Sequence, residues 1–262
     1  VMNKKETVSY CLDNLKKAGA DKAACSLNMT KKKELNVEIG EMTLFRTTFN
    51  SNMGISVIKD QKKGSTSINK TDKNSIDNAI ALVMEMAEGS RSDGAYDISE
   101  GQPPQSFSKG DESANLDTMY QSLEEFVDYV KSTYPKIQLE AAIMDFNYSE
   151  SFFQNTNGVN FEVREGIYGF SPMFLSKDGK DTSSFNGTGF SALKVEKPLH
   201  EYGSIDTLLQ QSVEQLHTQN ITDKFVGKLV VTPDCIGDFL RFITSDISDG
   251  KMISGNSLYK EK

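Results

Sequence analysis

The side chains best suited to bind metal or attack a substrate are few: two histidines, three cysteines and a pair of serines beside glycine. His200 follows Pro198-Leu199 in a loop, and His217 falls near the end of a helical stretch. A lone imidazole is more often packed or solvated than ligating. Cys235 and His217 make at most half a tetrahedral set, and spacing brings no third or fourth ligand to them. Ser65 and Ser254 have glycine neighbours but lack the G-x-S-x-G elbow that presents a nucleophile, so they read as turn residues. Lys31-Lys32-Lys33 offers charge for an anion, but no glycine-rich cradle or aromatic platform flanks it, and a solvated loop is expected. Acidic residues are plentiful, yet none forms a local pair that can be set on one face of a cleft. No catalytic residue is expected in this chain on these grounds.

The elements that would position these residues follow from hydrophobic period. From Glu34 to Asn69 apolar residues alternate with polar ones: Leu35, Val37 and Ile39, then Ile55 and Val57, then Ile68. Period two marks strands with one buried face. Gly40, Asn52, Gly54 and Gly64 stand where turns are expected, with Lys59–Lys62 as a hairpin tip. Ahead of this sheet, the spacing predicts a helix over 4–18, with Val8, Cys11, Leu12 and Leu15 inward, and a strand over 23–29 that runs into the triple lysine as a turn. After it, a helix capped by Thr71 or Asp72 carries the stripe Ile76, Ala79, Ile80, Val83, Met84 and Ala87. Residues 90–111 show no period and contain Pro103-Pro104, so a long loop is expected.

A third helix is expected over 117–133, buried through Met119, Leu123, Phe126, Val127 and Val130, and closed by Pro135. A second strand-rich region follows from Ile137 to Leu193. Asn157-Gly158 marks a type I′ hairpin within it, and Ser176–Asp181 marks a second tip. Another helix spans about 205–218. At Gly227 the texture changes: Leu229–Val231 reads as a buried strand, and Pro233 opens a helix lined by Ile236, Phe239, Leu240 and Ile243. The fold class expected is α+β. Residues 1–222 form a large first domain with two strand-rich halves, 1–112 and 113–222. Residues 223–262 form the opening strand and helix of a second, mostly absent, domain.

Composition excludes several function classes. A formal net charge of −8 opposes direct nucleic-acid binding, which requires a basic footprint. No apolar run is long enough to span a bilayer, and the N-terminal residues lack the apolar core of a signal peptide. Three scattered cysteines without a CxxC fit a reducing cytoplasm better than a disulfide framework.

The order of these motifs resembles the TldD/PmbA family of peptidase-like proteins, once named modulators of DNA gyrase. The resemblance rests on ELNVEIGEMTLFRTTFNSNMGISVIKDQKKGSTSIN, with Arg46 and Gly54, and on the helix DKNSIDNAIALVMEMA. It continues through the hairpin FFQNTNGVNFEVREG and the strand–Pro–helix GKLVVTPDCIGDFLRFI. The family's catalytic subunits carry HExxxH on the helix after that last strand. Here the helix reads Leu240-Arg241-Phe242-Ile243-Thr244-Ser245-Asp246, which sets Arg241 and Asp246 at the histidine positions and Phe242 at the glutamate position. Arginine does not ligate zinc at neutral pH, and phenylalanine moves no proton. The resemblance therefore implies the PmbA (TldE) kind of subunit, with no metal or cofactor of its own and no peptidase activity alone. It implies zinc on a HExxxH-bearing TldD-like sister subunit, or else a homodimer, and an extended or unfolded peptide as substrate. It also implies that the second domain continues well past the helix at 233–246, so that the chain is truncated.

Overall fold

Seventeen residues from Lys22 to Glu38 form one unbroken strand, β1, and they set the frame for everything else. The computed structural model describes residues 2–220 and 222–260. Val1, Ile221, Glu261 and Lys262 lie outside the described residues, and so do the parts of the expected domains 1–222 and 223–262 that fall on them. β2 (Glu41–Lys59) returns antiparallel to β1 along its whole length, and β3 (Lys62–Ile68) pairs with the far half of β2. β5 (Ile137–Asn155) lies antiparallel on the other side of β1, followed by β6 (Asn160–Asp178). β4 (Gln105–Lys109) closes that edge, parallel to β6. Three short strands, β7 (Asp181–Thr182), β8 (Asn186–Gly187) and β9 (Phe190–Ala192), fold back on β6. Both strand-rich halves thus contribute to one sheet, in the order β3-β2-β1-β5-β6-β4.

Four helices cover one face of this sheet, as the register requires. Ala23, Cys25 and Leu27 of β1 meet α1 (Lys4–Lys17) and α2 (Lys73–Gly89). Leu35 and Val37, on the same face further along, meet α3 (Leu116–Thr133) and α4 (Ile205–Glu214). The helical stripes read from spacing are the buried ones in α1, α2 and α3. Asp72 is the cap of α2, accepting from the Ser75 amide at 3.0 Å. Gly64 lets α2 press onto β3: a Cβ there would run into the Val83 carbonyl and sit 2.8 Å from the Ala87 nitrogen. The opposite face is polar, with Ser26, Asn28, Thr30, Asn50, Asn147 and Ser149 in its register positions.

Several expectations are corrected. Lys31-Lys32-Lys33 is the middle of β1 and not a turn, because β2 and β5 both pair with it there. Asn52, Gly54 and Gly64 are strand residues; Asn52 is exposed, while Gly54 and Gly64 allow close approach of Ser26 and of α2. The expected tip at Lys59–Lys62 and the expected turn at Gly40 do form, with successive positive φ at Asp60 and Gln61 (52° and 60°) and at Ile39 and Gly40 (51° and 73°). The Asn155–Asn160 hairpin forms, but only Gly158 has positive φ, so its loop is not type I′. Instead Asn155 Oδ1 accepts from the amides of Asn157 and Val159, at 3.0 Å each, and holds the loop. The long loop 90–111 contains β4, whose exposed residues have no reason to alternate.

Residues 229–231 form no strand. Leu229 and Val230 lie exposed, Val231 is half-buried, and no described strand offers them a backbone partner. The helix after them, α5 (Pro233–Asp246), forms as expected, and a short α6 (Asp249–Ile253) follows it. Ile236, Phe239, Leu240 and Ile243, expected to line a core, are exposed at 41–51%.

Candidate functional site

The free margin of β2 is the most unusual surface of the sheet. β3 pairs with β2 only from Met53 onward, so residues 41–52 carry no strand on their outer side among the described residues. This leaves about 40 Å of unpaired strand edge at the usual rise per residue. Natural edges are blunted by lysine, proline or bulges. Here a bulge at Thr43 of β2, opposite Asn36/Val37, interrupts the edge only next to the turn, and Met42, Leu44, Phe45 and Phe49 stand exposed. At the turn end, Leu35, Met42, Leu44 and Phe45 with Leu116 and Tyr120 of α3 line a hollow of about 470 Å³. The turn itself is tied down by Lys131 of α3, which donates to the Gly40 carbonyl at 3.2 Å.

Behind this margin, on the polar face, four charged side chains from three strands meet. Glu34 is 2% exposed, and its carboxylate faces Lys32 Nζ at 2.9 Å and Arg46 Nη2 at 2.8 Å. Lys32 also reaches Asp145 of β5 at 3.2 Å. Burial pushes the Glu34 carboxyl up, but the Lys32 hydrogen bond and charge, the Arg46 charge and the Asn36 amide outweigh it and hold it below the usual carboxylate value. Burial likewise pulls Lys32 down, and its two carboxylate partners raise it above the ordinary lysine value. Glu34 thus fixes the orientation of Arg46 beside the open edge, while Arg46 keeps 54% of its side chain in solvent. Spacing did not reveal this group, because Asp145 is brought to Lys32 only by the β1–β5 pairing. The alternation of Lys32 and Glu34 inside a strand was the one readable signal.

On the helix-bearing face, a second ion network ties α1 across β5 and β6. Lys4 pairs with Glu150, Lys5 with Glu162, and Arg164 lies between the two carboxylates. It bridges the gap between the two apolar clusters and reads as structural.

The positions expected to match a lost zinc motif do not fit a metal. Arg241 turns its guanidinium to Asp238 at 3.2 Å, and Phe242 is 69% exposed and has no donor atom. Asp246 is buried and committed to Lys251 Nζ at 2.8 Å. Among the described residues, no group of three or more His, Cys, Asp or Glu side chains is placed to hold a metal ion. His200 stacks on Tyr129 at 3.7 Å, and His217 ends a single 3-10 turn. Ser65 lies in β3, and Ser254 bonds back to the Lys251 carbonyl. Cys11 and Cys25 are buried side by side, while Cys235 is exposed. Hydrogen bonding to Cys11 and burial push the Cys25 thiol far up, so it stays protonated and inert. No described helix is long and apolar enough to cross a membrane.

Residues 23–87 match the family described as PmbA/TldA metallopeptidase domain 1. A search of curated proteins found no match. Several solved structures share the fold. TldE from Thermococcus kodakarensis aligns with a TM-score of 0.66 and 13% identity, covering 80% of this chain and 47% of that one. Two others are each described as a "putative modulator" of DNA gyrase. The Thermotoga maritima protein has a TM-score of 0.58 and 12% identity, with 80% and 47% of the two chains covered. The Bacteroides thetaiotaomicron protein has a TM-score of 0.79 and 16% identity, with 100% and 61% covered. The chain therefore spans about half the length of the first two of these structures and 61% of the third.

Proposed function

We propose that this chain is a PmbA/TldE-like member of the TldD/PmbA family without catalysis of its own, a reading supported by the match of residues 23–87 and by the shared fold. In this reading it works with a HExxxH-bearing, TldD-like sister chain in the proteolysis or maturation of peptides. The sister chain holds the zinc. This chain supplies wall and interface, and it holds an extended peptide.

The observation that carries the reading is the free edge at 41–52 beside an apolar hollow. An extended peptide laid along that edge gains main-chain hydrogen bonds from β2, and every second side chain falls on one face. One such side chain, opposite Phe45, enters the hollow between β2 and α3. Main-chain pairing tolerates many sequences, which suits a protein that handles unfolded peptides. On the other face, the peptide runs beside Arg46. Arg241, Phe242 and Asp246 support the non-catalytic half of the reading, since each is occupied or chemically unable to ligate.

Co-purification tests it. Recovery of a HExxxH-bearing sister chain, with casein-like peptides cleaved only by the pair, is the expected result. Stoichiometric zinc and cleavage by this chain alone would refute it. The two fold relatives described as gyrase modulators favour a second reading, a metal-free regulatory homodimer. Recovery of a pure homodimer without a sister chain selects it, and the charge of −8 makes any effect on DNA indirect.

A further inference from the structure

We infer that the β2 edge selects extended peptides rich in acidic side chains, with the carboxylates lying over residues 46–49. The inference rests on the reading that a peptide pairs with this edge and adds the chemistry of that peptide.

The chain as a whole is strongly acidic, yet the strip behind this part of the edge is basic. On the polar face Lys32 and Arg46 are paired with Glu34 and Asp145, and on the helix-bearing face Lys31 and Lys33 stand beside Glu150, which Lys4 and Arg164 already engage. These carboxylates are engaged by Lys32, Arg46, Lys4 and Arg164, so the surplus charge belongs to Lys31, Lys33 and the exposed part of Arg46. The surplus is aimed at the edge from both faces. On the polar face Arg46 belongs to β2 itself and stands directly beside any added strand. On the helix-bearing face Lys31 pairs in register with Phe49, and its ammonium leans over that ring, 5.6 Å from the centroid. That posture carries the charge from β1 toward the outer margin, with Lys33 next to it.

The helix-bearing face is open at this point. α1 and α2 cover β1 up to Leu27, and α3 and α4 cover it from Leu35. Lys31 and Lys33 fall in the gap between the two helix pairs. Glu41 at the turn and Asp117 at the hollow lie elsewhere along the edge, while Glu112 and Glu150 lie near Tyr148, on the β5 side of Lys31 and away from the outer margin, with Glu150 engaged by Lys4 and Arg164. The edge thus has an apolar end at 42–45 and a basic centre at 46–49. A peptide that matches it places an apolar residue in the hollow and acidic residues immediately along the strand. Like charges set directly opposite each other across strands are destabilising, so a lysine-rich peptide is disfavoured in the same register.

The test uses the full chain and three fluorescein-labelled peptides of alternating Thr and Val. Four central positions carry Glu, Lys or Ser, and binding is read by fluorescence anisotropy at low and high salt. The expected result is about tenfold tighter binding of the Glu peptide than the Lys peptide at low salt, the sum of a few exposed charge pairs, and a smaller ratio at high salt. Arg46→Glu reverses or removes the preference. Because that change also sets a carboxylate beside Glu34, Lys31→Glu serves as the second variant on an exposed side chain, with the same direction expected. Equal binding of all three peptides, or preference for Lys, overturns this inference while leaving the edge reading in place. Failure of every peptide to bind overturns both.

Discussion

Replacing Glu34 by Gln removes the negative centre of the four-residue charge group while keeping its shape. Two charge-assisted contacts are lost, from Lys32 at 2.9 Å and Arg46 at 2.8 Å, and the carboxylate lost is 2% exposed. Charge-assisted hydrogen bonds contribute roughly 1.5–3 kcal/mol each when buried. Both cations keep contact with water, at 37% and 54% exposure, so they are rehydrated when the partner is gone. The discounted cost is about 2 kcal/mol, which for a chain of this size lowers the melting temperature by roughly 4–8 °C. The pH dependence separates charge from shape. The folded Glu34 carboxyl is held below its ordinary value of 4.5, so its stabilisation is present above that pH and is lost as pH falls through the lower folded value. Urea melts of wild type and Glu34→Gln should therefore differ fully at pH 7 and converge once the pH falls below the folded value. Lys32, raised above 10.5 when folded, adds a loss of wild-type stability only as pH climbs past that value. A gap that stays the same size however far the pH is lowered within the folded range, or no gap at pH 7, would refute the assigned role of the buried carboxylate.

Other consequences are as direct. Gly64→Ala sets a Cβ against the Val83 carbonyl and the Ala87 nitrogen, so α2 must shift off β3; a loss of about 2–4 kcal/mol in chemical denaturation is expected. Thr47→Pro and Thr48→Pro should behave as a complementary pair, because adjacent residues aim their N–H groups at opposite sides of the strand. One variant should lose stability through the β1 ladder, and the other should fold normally yet fail to bind an extended peptide in anisotropy assays. Asn155→Ala removes the oxygen that accepts two loop amides and the amide that donates to the Ser99 carbonyl at 2.8 Å. It should cost about 1–3 kcal/mol and speed hydrogen exchange at Asn157 and Val159.

What could be read from the residues depended on whether neighbours in sequence were neighbours in environment. α1, α2 and α3 were legible because each buries one continuous stripe, and Val8–Leu15, Ile76–Ala87 and Met119–Val130 show it at helical spacing. β1 was cut short at Lys31 because its alternation is interrupted where no helix covers it, and the partner that pays for Lys32 is Asp145, far away in sequence. Gly54 and Gly64 looked like turns, yet their role is close approach, to Ser26 Oγ and to α2, which only the packed structure shows. β4 left no trace, since an exposed edge strand needs no apolar face. The free edge at 41–52 was hidden for a related reason. Its sequence reads as an ordinary strand, and only the length of β3 shows that no strand among the described residues pairs there. Arg241, Phe242 and Asp246 were located on a helix correctly, but its exposed apolar face had been expected to line a core.

The central claim is that an extended peptide pairs with the outer edge of β2. Amide hydrogen exchange across the full chain, with and without a saturating Glu-containing peptide, tests it most directly. The account predicts new protection at alternate amides within 41–52, with little change in the already paired stretch 53–59. Peptide binding that leaves 41–52 unprotected and slows exchange elsewhere would contradict it.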